Sequence, residues 1–290
     1  MLKTLKNQIS LSFFKNQNNI SYNLFNSIYQ IFKTVPNLDS QTVSDFIKNG
    51  YVSSVSIIES EIDTIKNNLN KTDKNYSKNI TTYSLNKELK KLTKNVFINN
   101  FKNEIKNFSN FYSSRIIVSH VKIFTIHGFE KKINKQEQFF SEKYHTDNYH
   151  YTYFKLFINL EDVNSEKGPL HFVPKPNTKN FIKMTNYKNR FSYDENELKD
   201  LIFKNVGKKG DSLFVNTTQC IHRAGVPAEN ETRTILLFHL NAIPGKKNNT
   251  NYFEYEDYSK DIFLTDYWSK YFAKPRKLSE NLKLLKSFLF

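Results

Sequence analysis

Short segments rich in β-branched and aromatic residues, separated by polar turns, dominate the middle of the chain and predict β-strands. Side chains of an extended strand point alternately to the two faces of a sheet, so such segments can bury one face or both. The predicted strands are residues 52–58, 114–124, 149–160, 170–173, 201–206, 212–215 and 232–240. Residues 161–167 are predicted as the turn from which 170–173 returns along 149–160.

Apolar residues at helical spacing predict helices mainly in the first third of the chain. These helices cover residues 20–32, 59–69 and 86–108, and a further one covers 279–290. Pro36 ends the first helix, and Asp39 or Ser40 can cap another that runs through Phe46. Three polar segments are predicted as loops: 70–86 at the surface, and 131–138 and 174–199 as segments that can cover an active site.

Many strands and few long helices are typical of a mainly β protein with flanking helices. We therefore predict a double-stranded β-helix, the jelly roll of cupin-like proteins. This domain is predicted to occupy residues 41–245, after an accessory N-terminal helical segment, 1–40. Residues 246–290 are aromatic and basic, and they are predicted to pack on the outside of the domain.

The composition limits the classes of function. The chain has 290 residues, enough for one large domain with extensions, and its aromatic content of 15% argues against disorder. Lys and Arg exceed Asp and Glu by 43 − 28 = 15, but the lysines are scattered among Asn, Ile, Phe and Tyr. Because no basic stripe results, the charge does not favour nucleic-acid binding. A single cysteine, Cys220, excludes an intramolecular disulfide framework.

The sequence also bears on location. No apolar run is long enough to span a bilayer, and the N-terminal residues lack the apolar core of a secretory signal. We therefore expect a cytoplasmic protein. The first acidic residue is Asp39, which leaves an organellar transit peptide as the lesser alternative. The sequence does not indicate an oligomeric state.

Candidate metal ligands occur at two distant places in the chain. His145 and Asp147 are separated by one residue, so in an extended strand both side chains point to the same face. His222 supplies a second imidazole, and two histidines with one carboxylate form the triad that holds non-haem Fe(II) and leaves coordination positions open. Arg233 follows His222 by 233 − 222 = 11 residues, within an apolar strand where a lone guanidinium needs an anion such as a dicarboxylate.

Each of these residues has a structural interpretation when it is taken alone. A His-x-Asp triplet arises by chance, His222 can be a hydrogen-bonded structural histidine, and Arg233 can be a salt-bridge partner. Cys220 is expected to be a small buried residue, because a hard Fe(II) site prefers nitrogen and oxygen donors even if strand alternation places the thiol on the metal-facing side of His222. The order of the candidate residues, each beside a predicted strand, favours the metal site.

Several further segments resemble the phytanoyl-CoA dioxygenase (PhyH-like) family of Fe(II)/2-oxoglutarate oxygenases. Residues 46–52 (FIKNGYV) resemble the opening strand of the family, and 157–162 with 167–174 resemble its central strand pair. Residues 210–214 (GDSLF) resemble the strand that leads to the distal histidine. The resemblance covers residues 41–245 and implies the same jelly-roll fold.

The resemblance implies an enzyme that uses Fe(II), 2-oxoglutarate and O2 to oxidise an unactivated C–H bond, releasing succinate and CO2. His145, Asp147 and His222 would hold the iron, and Arg233 would hold the far carboxylate of 2-oxoglutarate. Cofactor-binding roles are expected for Phe157 and Thr152. The carboxylate of Asp147 favours hydroxylation over halogenation, while desaturation and cyclisation stay open.

Three positions depart from the family pattern. Phe157 stands where many members have Trp, Ala224 stands where a hydroxyl residue is frequent, and residues 174–177 (PKPN) replace a Pro-Gly-Ser-His turn. These departures weaken the match to the fatty-acyl enzyme but leave the catalytic scheme intact. Structural or pocket-lining roles are expected for His150, His171 and His239.

The expected substrate is a small molecule or a lipid-like metabolite. Two other functions stay open. One is a jelly-roll protein that binds a metal or ligand without turnover, which a test for succinate release would separate from an enzyme. The other is an oxygenase that acts on a protein or nucleic acid, for which the net charge of +15 is the only support.

Overall fold

The structure, a computed structural model, describes residues 40–77, 79–128, 143–147, 149–185 and 195–244, together with Gln30. The helices are α1 (Gln41–Asn49), α2 (Glu59–Leu69), α3 (Lys87–Tyr112), α4 (Lys175–Met184), α5 (Glu195–Leu198) and a 3-10 helix (Lys199–Leu201). The strands are β1 (Tyr51–Ser53), β2 (Lys74–Ser77), β3 (Ile80–Tyr83), β4 (Ser114–His127), β5 (Tyr153–Asn159), β6 (Leu170–Phe172), β7 (Phe203–Asn205), β8 (Ser212–Val215), β9 (His222–Arg223) and β10 (Thr232–Pro244).

The strands form two antiparallel sheets that face each other. The major sheet has seven strands in the order β1-β8-β5-β10-β4-β3-β2, and the minor sheet has three in the order β7-β6-β9. Buried side chains from both sheets form one apolar cluster, in which Phe157 and Leu237 of the major sheet meet Leu170 and Phe172 of the minor sheet. Two facing antiparallel sheets with helices outside them confirm the predicted jelly roll.

A helical layer covers the other face of the major sheet. Helix α3 begins at Asn86, whose side-chain oxygen accepts a hydrogen bond from Leu89 N at 2.9 Å. Its buried aromatic side chains pack against those of the sheet, with ring centroids 4.8 Å apart for Phe108 and Phe154 and 5.0 Å apart for Phe97 and Phe238. This aromatic layer is the main core, since each buried Phe contributes about 2–3 kcal/mol.

Successive side chains of β5 and β10 point alternately to the helical layer and to the space between the two sheets. Leu156 and Phe238, which are register partners, belong to the cluster on the helical face. The next partners, Phe157 and Leu237, belong to the cluster between the sheets, which we call the inner face. Because both strands are paired on both edges, their inner-face side chains are fixed in position.

Helix α1 leads directly into the first strand. The Ser40 side chain accepts a hydrogen bond from Val43 N, which confirms the predicted cap. The helix ends at Gly50, whose φ of +81° is in the left-handed region. A Cβ on Gly50 would lie 2.5 Å from Cys220 Sγ, so both the backbone and the packing require glycine here.

The prediction of a surface loop at residues 70–86 was wrong, because β2 and β3 form a hairpin there. All four residues of β2 are exposed, so this edge strand lacks the alternation that marks a half-buried strand. Strand β3 is held by β4, and Thr81 Oγ1 lies 2.8 Å from His127 Nε2. The hairpin thus depends on contacts with β4 that the local sequence does not encode.

Two other strand predictions are corrected. Residues 170–173 do not return along 149–160, because β6 belongs to the minor sheet and pairs with β7 and β9. Residues 46–49 are helical, so the opening strand begins at Tyr51 and ends at Ser53. In both places the apolar pattern was correct, but the sequence did not specify which sheet or which element would bury it.

The segment 174–199 is partly helical rather than a loop. Helix α4 begins after Pro174 and has a second proline, Pro176, in its first turn, where a missing N–H is tolerated. Within this segment, only residues 186–194 can still be a loop that covers the active site. These residues lie outside the described part of the chain, and so does the other predicted covering segment, 131–138.

The terminal extensions are almost entirely outside the described part of the chain. Of the helix predicted for 20–32 only Gln30 is described; it is helical, and its side-chain amide donates to Tyr112 O at 3.1 Å. Residues 246–290 are not described, so the proposed domain boundaries stay predictions. Within the described ranges, no helix has both the length and the apolar character needed to cross a membrane.

Candidate metal centre

His145 and His222 meet across a short antiparallel bridge. The amide of each donates to the carbonyl of the other, with N–O distances of 2.9 Å and 2.8 Å. The bridge holds the imidazole rings with their centroids 4.4 Å apart. Because His222 begins β9, which pairs with β6, the minor sheet fixes this bridge in place.

Asp147 completes the group from the loop that follows His145. Its backbone amide donates to Thr217 O at 2.8 Å. Its Oδ1 atom then lies 3.8 Å from Nε2 of His145 and 3.8 Å from Nε2 of His222. The three candidate ligand atoms are within 4.8 Å of one another, and this is the single metal-binding group found among the described residues. The structure therefore brings the three predicted ligands together.

Both histidines are held in the tautomer that a metal requires. Nδ1 of His145 lies 2.6 Å from Lys143 O, and Nδ1 of His222 lies 3.1 Å from Cys220 O. A carbonyl oxygen only accepts, so each Nδ1 carries the hydrogen and donates it. The lone pairs of both Nε2 atoms are thus left to face Asp147 Oδ1.

The second oxygen of Asp147 is occupied by two donors. Lys155 Nζ lies 2.6 Å from Oδ2, and Thr217 Oγ1 donates to the same oxygen at 2.5 Å. Burial alone would raise the pKa of Asp147, but the charge of Lys155, the neighbouring His222 and these hydrogen bonds outweigh it, so the pKa is held well below its usual value. The carboxylate is therefore ionised at neutral pH.

The charge state of His222 complements that of Asp147. Burial is the largest influence on His222 and lowers its pKa to about 3, although Asp147 acts in the opposite direction. The imidazole is consequently neutral and available as a ligand. Two imidazole nitrogen donors and one anionic oxygen fit a divalent transition metal such as Fe(II). Neither Lys155 nor Thr217 was predicted as a site residue, and only Lys155 stands out in the sequence, as a cation on an alternating strand.

Arg233 lies on the inner face of β10 opposite Ile126 of β4, and only 2% of it is exposed. Its Nε atom is buried and has no hydrogen-bond partner in the part of the chain that the structure describes. Burial lowers the pKa of the guanidinium to about 9, against the opposing effect of Glu161. Glu161 is itself engaged, since it accepts from Thr234 N at 2.5 Å and from Lys167 Nζ at 3.2 Å. A buried cation with an unused donor fits an incoming anion.

The other two candidate residues lie on or beside β5. Phe157 is on its inner face, two positions from Lys155, and packs in the same apolar cluster as Leu237. Thr152 is fully buried, and its hydroxyl lies 2.8 Å from His150 Nδ1. Cofactor-binding roles for both residues stay predictions.

The remaining histidines and Cys220 do not belong to the ligand group. His171 Nδ1 lies 3.0 Å from Tyr144 Oη, and His239 Nδ1 is bonded to the Tyr153 hydroxyl. Cys220 precedes β9 rather than lying on it, and its sulfur is 3.6 Å from Gly50 O. Burial raises the pKa of this thiol to about 12, so Cys220 is the inert small residue that was expected.

No known family profile matches the sequence, and no curated protein matches it. Solved structures do. EctD from S. alaskensis in its apo form gives a TM-score of 0.50 at 12% identity, over 73% of this chain and 81% of that one. EctD with 2-oxoglutarate and 5-hydroxyectoine gives a TM-score of 0.50 at 12% identity, over 73% and 80%. SnoN, a non-heme alpha ketoglutarate dependent epimerase from nogalamycin biosynthesis, gives 0.49 at 13% identity, over 70% and 82%.

At this level of identity the likeness to EctD shows a shared fold. The chain is thus a double-stranded β-helix protein, and its own residues add a buried group of two histidines and one carboxylate.

Proposed function

We propose that the protein is an Fe(II)- and 2-oxoglutarate-dependent oxygenase that acts on a small molecule. The observation that carries this proposal is the convergence of His145, Asp147 and His222 in a jelly roll whose inner face also holds the buried Arg233. When bound, Fe(II) with 2-oxoglutarate and O2 would supply the oxidising power for C–H cleavage, with release of succinate and CO2.

The residues of the site have separate tasks in this proposal. His145, Asp147 and His222 would hold the metal, and the occupied Oδ2 of Asp147 leaves Oδ1 as the single oxygen directed at it. The guanidinium of Arg233 would bind the far carboxylate of 2-oxoglutarate, because a planar fork matches a carboxylate in a bidentate manner. Phe157 and Leu237 form an apolar pair on the inner face and would exclude water from the reacting groups.

The finer assignment is a PhyH-like hydroxylase. The motif resemblance supports the family, and the carboxylate of Asp147 supports hydroxylation because it fills the position that halide would need. The similar fold of EctD, whose structure holds 2-oxoglutarate and 5-hydroxyectoine, supports a small-molecule substrate. A cytoplasmic location belongs to the same proposal.

Succinate release tests the function directly. The protein is incubated with Fe(II), 2-oxoglutarate and O2, and succinate is measured by mass spectrometry with and without a metabolite mixture. We expect succinate that depends on both Fe(II) and 2-oxoglutarate. If the protein binds both but forms no succinate under any condition, the alternative of a jelly-roll protein that binds without turnover is correct.

A further inference from the structure

The inner face of β10 carries two buried nitrogen atoms, Arg233 Nε and His239 Nε2, that have no hydrogen-bond partner among the described residues. The residues are 239 − 233 = 6 positions apart, so strand alternation places them on the same face. Their backbones are separated by roughly 20 Å at about 3.3 Å per residue. Arg233 is accounted for by 2-oxoglutarate, whereas His239 has no role in the proposed function so far.

His239 lies beside the metal group. In the sheet register it is opposite Lys155 of β5 on one side and His120 of β4 on the other. Lys155 is the residue whose ammonium contacts Asp147 Oδ2 at 2.6 Å. One side chain therefore separates His239 from a candidate metal ligand. Ile235 and Leu237 lie between His239 and Arg233 on the same face, so the two unpartnered nitrogens belong to different parts of the inner face.

The hydrogen bond to Tyr153 defines what His239 offers. Burial raises the pKa of the Tyr153 phenol well above 10, so the phenol keeps its proton and can donate it to Nδ1 of His239. Burial, together with Lys155, His120 and Lys122, lowers the pKa of His239 well below 6.5, so the ring is neutral. This hydrogen bond allows two tautomers, and in the one where Nδ1 accepts from the phenol the single ring hydrogen is on Nε2. In this tautomer Nε2 is a buried donor, and the described residues offer it no acceptor.

The charges around His239 favour an anionic acceptor. Lys155 and Lys122 are the cations that act on it, and the negative charge of Asp147 is already paired with Lys155. A donor in a positive environment binds a charged oxygen more strongly than a neutral one. The nearby ring of Tyr149, with its centroid 4.3 Å from that of Tyr153, adds an aromatic wall for the rest of a ligand.

We propose that His239 Nε2, with its ring held by Tyr153, binds a carboxylate oxygen of the substrate, which is therefore a small organic acid. That this acid is a substrate rests on the proposed oxygenase function, whereas the binding of an anion at His239 does not depend on it. In this arrangement two positions of β10 recognise two different acids: Arg233, near the start of the strand, binds the co-substrate, and His239, in its middle, binds the molecule to be oxidised.

Acetate is the smallest probe of this site. The full chain, labelled with 15N-histidine, is loaded with Zn(II) as a diamagnetic stand-in for Fe(II) and saturated with 2-oxoglutarate, so that Arg233 is occupied. Acetate is then titrated while the ring nitrogen signals are followed by NMR. We expect a saturable shift of the His239 signals. His127, whose Nε2 contacts Thr81 at the far end of β4, is the internal control and should not shift.

Two comparisons test the chemistry. Acetamide has the shape of acetate without its charge and should bind at least about tenfold more weakly. His239→Phe should abolish acetate binding measured by calorimetry, whereas His239→Gln, which keeps an amide donor, should retain it within about fivefold. Circular dichroism of both variants controls for folding, and the Gln variant keeps the test valid if the Phe variant unfolds.

Any of three results would overturn the proposal: no saturable shift of His239 up to about 100 mM acetate, equal binding of acetate and acetamide, or unchanged acetate binding in folded His239→Phe. Failure of the proposed function looks different: Zn(II) or 2-oxoglutarate would not bind, or both would bind and no succinate would form with Fe(II). The acetate titration of the metal-free protein would still decide the question of His239.

Discussion

Asp147 illustrates how much of the site depends on single contacts. One oxygen faces both histidines at 3.8 Å, while the other is held by Lys155 at 2.6 Å and by Thr217 at 2.5 Å. Hydrogen bonds to the outer oxygen of a ligand fix its orientation and tune its strength. Lys155 and Thr217 are thus positioning residues for Asp147, one with a charge and one without.

Removing these contacts should weaken metal binding. Each of the single variants Lys155→Met and Thr217→Val removes one of the two contacts that hold Oδ2 of Asp147. For each variant we expect a loss of about 10- to 100-fold in Fe(II) or Zn(II) affinity. Calorimetric titration of the metal measures the effect. Lys167→Met removes a lysine that binds Glu161 instead and serves as the matched control, which should bind metal as the parent does. Full affinity in both positioning variants would contradict the assigned role.

Arg233 gives a prediction about the co-substrate. Arg233→Lys replaces a planar fork by a point charge and loses at least one charge-assisted hydrogen bond of about 1.5–3 kcal/mol. The apparent KM for 2-oxoglutarate should rise about 10- to 100-fold, while metal affinity stays unchanged. If Arg233 were only a structural salt-bridge partner, the melting temperature would fall and the KM would not move.

At the residue scale, the sequence indicated the candidate metal ligands but not the residues that hold Asp147 in position. His145 and Asp147 are two positions apart, and a strand or extended loop must place them together. The contact between Lys155 and Asp147 depends on where β5 begins and on how Asp147 is bonded to Thr217. Neither is encoded by spacing along the chain.

At the scale of elements, the junction of α1 and β1 supports the loop that carries the site. Gly50 O accepts a hydrogen bond from Asn216 N at 2.7 Å, next to Thr217. Helix α2, the cap of α1 and most strands could be predicted because they have regular patterns and strong end signals. The β2–β3 hairpin and the placement of β6 in the minor sheet could not, since both depend on partners that are distant in sequence.

Gly50→Ala should destabilise the protein. The left-handed φ of +81° is unfavourable for Ala, and the new Cβ would contact Cys220 Sγ at 2.5 Å. We expect a loss of about 1–3 kcal/mol in the free energy of unfolding, measured by urea denaturation. Adding Cys220→Ala removes the contact with sulfur but leaves the approach to Lys175 Cβ at 2.7 Å and the backbone strain, so it should restore only part of the loss. Complete recovery in the double variant would show that the backbone conformation is not limiting.

At the scale of the whole molecule, buried histidines couple folding to pH. Burial lowers the pKa of His150 and of His222 to about 3, from 6.5. Between these values the unfolded chain binds protons that the folded chain does not, so stability is full above pH 6.5 and is lost as the pH falls. Each histidine contributes a slope of about 1.4 kcal/mol per pH unit in that window.

We therefore expect the urea midpoint of the metal-free protein to fall steadily from pH 6.5 to pH 5, followed by circular dichroism. His150→Gln removes one of the titrating histidines and should make the decline shallower, whatever its own effect on stability. A midpoint that is constant over this range would mean that the histidines are accessible to protons in the folded state.

The alternation of β10 also determines which sequence changes this protein can tolerate over evolutionary time. Leu236 and Phe238 pack in the core under the helical layer, while Arg233 and His239 are on the opposite, inner face of the strand. Deletion of one residue within the strand would exchange these two sets, because a slip of one position turns every side chain to the opposite face. Substitutions can change folding or chemistry separately, whereas such a deletion damages both at once. Length variation among descendants should therefore collect in the loops that border β10, and new substrate preferences should arise by substitution at every second position.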